Sequence, residues 1–271
     1  MNNMGIPGIT NSPTDDSHER GDILVPPILH RYLNITRDLR NYVIVMTLFL
    51  VLSYSVYLIF GEDTVIKLGE EDSVFEYLTA IFFLVASIFF IKIFISNRNG
   101  WFLLLALVLF IGCGEEISWG QRIFNVSTPD CMKGVNVQKE INIHNLKIFN
   151  ARNNTGIAKF HSIVFLYKLF WLTYGVLLPI AAFQIRSIFS ITEKVRLPLP
   201  PVPIGIFFLI NWLIFRITLS FILPPNKMFE YYDTIYEIME CGSAFVFMTL
   251  SIYYYNKSTF QSNKNLVNRM N

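Results

Sequence analysis

The stretch WFLLLALVLFIGCGEEISWGQRIF, residues 101–124, decides the fold, because it places two adjacent carboxylates shortly after a purely apolar run. A transmembrane helix needs about 20 mostly apolar residues and rises ~1.5 Å per residue. Counted from Trp101, Glu115 lies roughly 21 Å along such a helix, still inside a hydrocarbon layer that is ~30 Å thick. An unpaired charge at that depth costs at least ~2.5–3.5 kcal/mol. The sequence therefore predicts that Glu115 and Glu116 face other polar groups rather than lipid. The alternative is that they mark an early end of the helix and are solvated at the interface.

The composition of the 271-residue chain is typical of a multi-pass membrane protein. Hydrophobic residues make up 53% of it and charged residues only 15%, and its mean hydropathy is +0.44, whereas a soluble domain has roughly 25% charged residues. The net charge of +2 gives no reason to expect a nucleic-acid partner. The three cysteines, Cys113, Cys131 and Cys241, are too far apart to indicate a disulfide framework or a zinc ribbon.

Six apolar segments are each long enough to cross a bilayer, so we predict an all-α, polytopic bundle of about six transmembrane helices. The predicted spans are residues 42–60, 74–95, 101–121, 161–185, 202–223 and 231–255. Polar tails, residues 1–41 and 256–271, flank this membrane domain of residues 42–255. The first tail has no apolar signal core, so we expect the first span to act as an uncleaved signal-anchor. The one long connection, residues 122–160, is expected to fold over one face as a lid.

The distribution of Lys and Arg predicts that both tails are cytoplasmic. The two tails, the second connection and the fourth connection together carry twelve basic residues, whereas the first and fifth connections carry one each. Short loops rich in Lys and Arg stay on the cytoplasmic side. The long connection carries six, but its length weakens the rule. This orientation places the long connection and the acidic segment GEDTVIKLGEED, residues 61–72, on the outer side.

Charged residues from three predicted spans fall at one depth in the outer half of the bilayer. Glu115 and Arg216 each lie 14 residues from the inner end of their span, and Glu237 lies six residues from the outer end of the sixth. At ~1.5 Å per residue these positions are level, roughly 9 Å from the outer boundary. Asp233, Glu237 and Glu240 recur at helical spacing and share one face. We therefore predict a polar, acidic cavity in which Arg216 binds carboxylates bidentately.

Two motifs resemble the signature of a poorly characterised family of bacterial multi-pass membrane proteins. The first is GEEISWGQRIF, residues 114–124, which is followed by Thr128 and Pro129, and the second is NVQKEINIHNL, residues 136–146. EDSVFEYLTA, residues 71–80, is similar to the acidic opening of an earlier helix in those proteins. The resemblance covers the middle of the chain and implies an integral membrane protein, but no particular activity. It also implies that ten residues form one module: Glu115, Glu116, Trp119, Gln121, Arg122, Asn136, Gln138, Glu140, His144 and Asn145.

Our first hypothesis is a membrane-embedded hydrolase or transferase that acts on a lipid or lipid-linked substrate at the outer leaflet. Carboxylates and histidine can perform acid–base work. The candidate catalytic residues are therefore Glu115, Glu116, Glu237 and His144. A second set is suited to binding the head group of the substrate, with a guanidinium as the anchor of an anionic group. Its members are Arg216, Arg122, Gln121 and Trp119.

Two histidines and a carboxylate offer a candidate metal site. His144, His161 and Glu115 supply the mixed nitrogen and oxygen donors that bind a divalent metal such as zinc. The chain has no HExxH motif, so the spacing alone does not favour a metal. A loop histidine that is simply polar surface is the alternative at both histidine positions.

Two other classes of function fit the same residues. A proton-coupled carrier of small solutes would use the carboxylates as a relay, although the chain shows no inverted repeat. A non-catalytic scaffold or immunity-type protein would keep Arg216 and its acids as structural ion pairs, with Trp119 and Arg122 as ordinary interfacial residues. All three interpretations predict membrane lipids as partners, a bacterial inner membrane as the location, and no nucleic acid.

Overall fold

Two consecutive apolar segments each begin directly after a residue that caps a helix, and both form long helices. In the computed structural model, the side chain of Ser73 accepts a hydrogen bond from the Glu76 amide and caps the helix that begins at residue 74. Asn99 caps the next helix by accepting a 3.2 Å hydrogen bond from the Trp101 amide. Arg98 closes the turn between these helices with a left-handed backbone (φ 53°). The tight turn lets the two helices pack side by side.

The chain is all-α, as predicted. The described residues are 39–70, 72–149, 163–222 and 228–270. Within these ranges there is no strand, and one isolated β-bridge joins Asn136 to Leu146. The helices, in chain order, are α1 (Arg40–Tyr54), α2 (Val56–Ile59), α3 (Glu62–Lys67), α4 (Val74–Asn97), α5 (Gly100–Glu116), a 3-10 turn (Ser118–Gly120), α6 (Asp130–Lys133), α7 (Ile163–Phe170), a first π-helical segment (Trp171–Leu177), α8 (Leu178–Gln184), α9 (Arg186–Lys194), α10 (Val202–Ile217), a second π-helical segment (Thr218–Ile222) and α11 (Met228–Met270).

Within the described ranges, four helical stretches are long and apolar enough to cross a membrane. They are Val74–Asn97, Phe165–Gln184, Val202–Phe221 and Tyr231–Phe260. α1 has 15 residues and α5 has 17, so the predicted number of six spans is not confirmed. The helices expose apolar side chains outward, among them Leu52 (67%) and Ile81 (52%). Soluble proteins seldom expose such side chains in large patches, and these features are compatible with an integral membrane protein.

The helix α11 is the most buried of these four stretches. In its apolar 18-residue segment 72% is buried inside the protein, whereas the corresponding share in the other three stretches is 33–39%. α4 packs against both α5 and α11, and α10 packs against α11 from another side. Between α10 and α11 the fully buried rings of Phe208 and Phe247 lie with their centroids 4.7 Å apart, at a distance where aromatic pairs attract. On this helix Glu237 and Glu240 are partly buried, whereas Asp233, which was predicted to share their face, is exposed.

Two helix boundaries differ from the prediction. α5 ends at Glu116, ahead of the predicted end at residue 121, because Ser118 and Trp119 have left-handed backbones (φ 45° and 55°) that an α-helix does not accommodate. α11 continues through the predicted C-terminal tail to Met270, since residues 256–270 contain neither Gly nor Pro to end it. The predicted N-terminal tail, up to residue 38, lies outside the described residues.

A close approach of two backbones positions α10 against the first π-helical segment. A Cβ atom at Gly205 would collide with the carbonyl oxygen of Gly175, so only glycine fits there. A Cβ atom at Gly175 would in turn lie 2.7 Å from the ring of the buried Phe208. Small residues permit such close helix packing in membranes, and this contact sets the distance between α10 and its neighbour.

We expect Gly205→Ala to destabilise the protein, because the added methyl group must push the two backbones apart. Overpacking of this kind costs about 1–3 kcal/mol, which a lower Tm of the detergent-purified protein would report. Gly134→Ala is the matched control, since a Cβ atom there meets nothing within 4 Å. Equal melting temperatures for the two variants would contradict the packing described above.

Candidate functional site

Glu115 and Glu116 are neighbours in sequence but face different parts of the protein. Consecutive residues of an α-helix point ~100° apart around its axis. Glu115 is buried and directs its carboxylate toward the loop that follows α5. Glu116 directs its carboxylate toward acids of α11. The end of α5 therefore supplies one acid to each of two polar groups.

The Glu115 carboxylate holds the loop with both of its oxygens. Oε1 accepts a 2.7 Å hydrogen bond from the indole N–H of Trp119. Oε2 accepts hydrogen bonds from the backbone amides of Ile143 (2.6 Å) and His144 (2.8 Å). The Nδ1 atom of His144 lies 3.4 Å from the same oxygen. Because both oxygens already have donors, Glu115 acts mainly as an anchor for residues 143 and 144.

Polar side chains of the loop bond to one another around Glu140. Ser118 donates to Glu140 Oε2 through its hydroxyl, and Asn142 donates to the same oxygen at 2.8 Å. Asn136 donates to the Asn142 side chain at 2.8 Å and accepts from the Gln138 amide at 2.9 Å. Glu140, Ser118, Asn142 and Asn136 are all buried. Satisfied buried networks of this kind fix a single conformation, and here they replace an apolar core.

Gln121 joins the two ends of the same loop. Its side-chain N–H donates to Thr128 at 2.5 Å, and its oxygen accepts a 2.7 Å hydrogen bond from the Ile141 amide. Thr128 donates to the carbonyl of Lys139 at 2.6 Å. These bonds hold the described part of the connection together, while the remaining part of the predicted lid, residues 150–160, lies outside the described residues.

Arg122 fastens the loop to the start of α4 through three carboxylates. Its guanidinium nitrogens lie 2.7 Å from Glu76, 3.2 Å from Glu140 and 3.1 Å from Asp72. Burial disfavours the charged guanidinium, but the carboxylates outweigh it and raise the pKa of Arg122 above its ordinary value. Of the ten residues that the resemblance groups together, all but Glu116 take part in this loop network.

Three carboxylates from two helices form the second polar group, which we call the acid trio. One oxygen each from Glu116, Glu237 and Glu240 lies within 4.8 Å of the others. All three side chains are partly buried, and Glu237 Oε2 is fully buried without a hydrogen-bond partner among the described residues. Two surface pockets, of about 290 and 410 Å³, are lined by other residues, so the predicted cavity around the acids stays a prediction.

Arg216 does not join the carboxylates with which we expected it to pair. Its side chain is exposed, and among the described residues it forms no ion pair. Arg216 interacts electrostatically with Lys168 on α7. Glu240 interacts with both Lys168 and His144. The expected grouping of Glu115, Arg216 and Glu237 rested on depth alone, and depth does not determine which side of a helix a residue occupies. His161 lies outside the described residues.

A buried amide network on α10 was missed by the sequence reasoning. Asn211 is fully buried and donates to the Met239 carbonyl at 2.7 Å and to the Ser243 hydroxyl at 3.2 Å. The Tyr54 hydroxyl donates to the Asn211 side chain at 3.0 Å. The signal was available, since Asn211 is a polar residue inside a predicted span and such residues mark helix contacts or function.

Comparison of the chain with protein-family models, with curated proteins and with solved structures finds no match. The resemblance to a bacterial membrane-protein family therefore remains a prediction that depends on the motifs themselves. By its fold, the chain is an α-helical protein whose long apolar helices are compatible with insertion in a membrane.

We expect Arg122→Gln to loosen the loop, because it leaves Glu76 and Glu140 without their cation. The cost should be about 1–3 kcal/mol, the usual penalty for a buried group left unsatisfied, and hydrogen exchange at the Ile143 and His144 amides should accelerate.

Lys133→Gln is the control for this prediction, since it removes a charge from the same loop. The ion pair of Lys133 with Asp130 has side chains that are 49% and 96% exposed, and exposed pairs contribute little. If both variants exchange at the same rate as the parent protein, Arg122 does not hold the loop.

Proposed function

We propose that this chain is an integral membrane protein with a divalent-cation site at the acid trio, and that the site serves a membrane-embedded hydrolase or transferase. The observation that carries this proposal is the 4.8 Å grouping of oxygens from Glu116, Glu237 and Glu240. Carboxylates this close repel one another unless a proton or a metal ion neutralises part of their charge. A divalent cation bound by all three would do so, and it would give a partner to the buried Oε2 of Glu237, which has no hydrogen-bond donor among the described residues.

The donor set of the acid trio favours Mg²⁺, Mn²⁺ or Ca²⁺. These cations take oxygen ligands, whereas zinc prefers nitrogen and sulfur. Of the metal ligands expected from the sequence, His144 and Glu115 lie side by side, but neither belongs to the acid trio. Three carboxylates leave further coordination positions for water and for an oxygen of the substrate, which is the arrangement that metal-dependent hydrolysis requires.

His144 is the candidate general base beside the acid trio. It interacts electrostatically with Glu240, and its Nδ1 faces the Glu115 carboxylate at 3.4 Å. A carboxylate at one ring nitrogen orients an imidazole and leaves the other nitrogen to exchange a proton. In this proposal Glu115 is a positioning residue, and the loop network keeps His144 near the site.

One cation beside the acid trio, Lys168, and a second cation that interacts with it, Arg216, suit an anionic group of the substrate. Lys168 interacts electrostatically with both Glu240 and Arg216, and the Arg216 side chain is exposed. A phosphate that contacts both cations would offset the repulsion between them. A lipid-linked phosphate or diphosphate is therefore the proposed substrate class, with the loop of residues 117–149 on the outer side of a bacterial inner membrane.

A proton-coupled carrier is the second candidate, and the Asn211 network favours it. Ser243 lies one helical turn beyond Glu240 on α11 and hydrogen-bonds to Asn211, which hydrogen-bonds to Tyr54. Such a chain of polar groups could continue a proton path from the acid trio between the helices. In liposomes, a carrier would acidify the lumen with solute present, whereas the enzyme would show no proton flux.

We expect the purified protein, stripped with a chelator, to bind one Mn²⁺ per chain in a titration followed by electron paramagnetic resonance. Glu237→Gln should weaken this binding by at least about tenfold, because it removes a ligand. Glu193→Gln should leave the affinity unchanged, since that exposed carboxylate lies on α9 outside the acid trio. Absence of binding in the parent protein, or equal affinity in the two variants, would exclude the cation site.

A further inference from the structure

Two turns that are far apart in sequence are joined at the end of the helices opposite to the acid trio. The Asn99 side chain donates a 2.7 Å hydrogen bond to the Arg196 carbonyl. The Trp101 indole donates a 2.9 Å hydrogen bond to the Val195 carbonyl. The α4–α5 turn is thereby fixed to the connection between α9 and α10. Because α5 begins here and has 17 residues, this junction lies roughly 25 Å from Glu116.

A basic pocket of about 410 Å³ lies at this junction. Its lining includes both Arg98 and Arg196 together with Trp101, Leu104 and Val195. The two arginines have left-handed backbones (φ 53° and 57°), which is uncommon for residues other than glycine. The joined turns therefore bring two guanidinium-bearing residues to one shallow, open depression of the surface.

Neither arginine of this pocket is neutralised by a described carboxylate. Both residues are exposed, and neither forms an ion pair within the described residues. Glu193 lies one helical turn before Arg196, but its side chain is exposed. The two residues are joined by a backbone hydrogen bond and not by an ion pair of their side chains. Arg98 additionally lies 6.0 Å from the centre of the Phe94 ring. The pocket thus keeps two positive charges available for a ligand.

The chemistry of the lining matches the head-group region of a bilayer. Trp is enriched at that level because its ring is apolar and its N–H is polar. Leu104, which is 49% exposed, continues the pocket along the apolar surface of α5. Basic pockets between transmembrane helices bind the phosphates of anionic lipids, and guanidinium groups match phosphate oxygens in pairs.

We propose that this pocket binds the phosphate of an anionic phospholipid, with Arg98 and Arg196 on the phosphate and Leu104 beside the acyl chain. The site is separate from the acid trio and rests on the proposed insertion in a membrane, but not on the proposed cation site or activity. It would hold a structural lipid where α4, α5 and the connection between α9 and α10 meet, and so stabilise this end of the protein.

Native mass spectrometry of the purified protein with phosphatidylglycerol or phosphatidylcholine tests the proposal. Each arginine near a membrane surface contributes about fivefold to anionic-lipid affinity, so the double variant R98Q/R196Q should lose roughly 25-fold in affinity for phosphatidylglycerol. Affinity for phosphatidylcholine, whose choline group offsets the charge of its phosphate, should fall less than affinity for phosphatidylglycerol. Each single variant, at an exposed side chain, should lose about fivefold, which keeps the test valid if the double variant does not fold.

The matched control is R186Q/K194Q, which removes the same charge from α9 without altering a residue of the pocket. If the control loses as much affinity as R98Q/R196Q, or if R98Q/R196Q and both single variants keep the parent affinity, the pocket is not a lipid site. A competition with inorganic phosphate separates the sources of the ligand. Displacement of phosphatidylglycerol only by other anionic lipids supports a lipid site, whereas equal displacement by inorganic phosphate would overturn it in favour of a free-phosphate site.

Discussion

Glu115 in the last turn of α5 and Arg122 six residues after its end determine how the rest of the site is arranged, because each binds several partners. Arg122 is surrounded by three carboxylates, and the Glu115 carboxylate accepts three N–H groups. Opposite charges in contact, or a charge with several donors, recover much of the solvation that burial removes. The loop of residues 117–149 can therefore stay compact with few buried apolar side chains. If either residue were neutral, its partners would be left buried and unpaired, which is costly.

The loop and the acid trio are structurally linked, because both are attached to the end of α5. Glu115 and Glu116 are adjacent, so whatever fixes the end of α5 fixes both carboxylates. The hydrogen bonds from the Ile143 and His144 amides bring the imidazole of His144 to the same place, where it interacts with Glu240 of α11. Residues of the loop thus determine which groups surround the three carboxylates of α5 and α11.

Much of the fold could be predicted from the sequence, because hydropathy and helical spacing are local properties. The spans of α4, α10 and α11 were found in this way, as was the shared level of the acids on α5 and α11. Depth along an axis follows from counting residues, but the direction of a side chain around that axis depends on long-range packing. This is why Glu116 rather than Glu115 meets Glu237, and why Arg216 is exposed. An early end of α5 was an alternative that the sequence left open, and it could not be decided there because the left-handed backbones at Ser118 and Trp119 depend on the loop contacts.

The length of α11 has a mechanical consequence. Its 43 residues amount to roughly 64 Å of helix, about twice the thickness of a hydrocarbon core. If one half lies in lipid, the other half projects into water as a stiff rod. A protein or label attached near Met270 would then be held at a fixed height above the bilayer instead of swinging on a flexible tether, because continuous helix acts as a spacer.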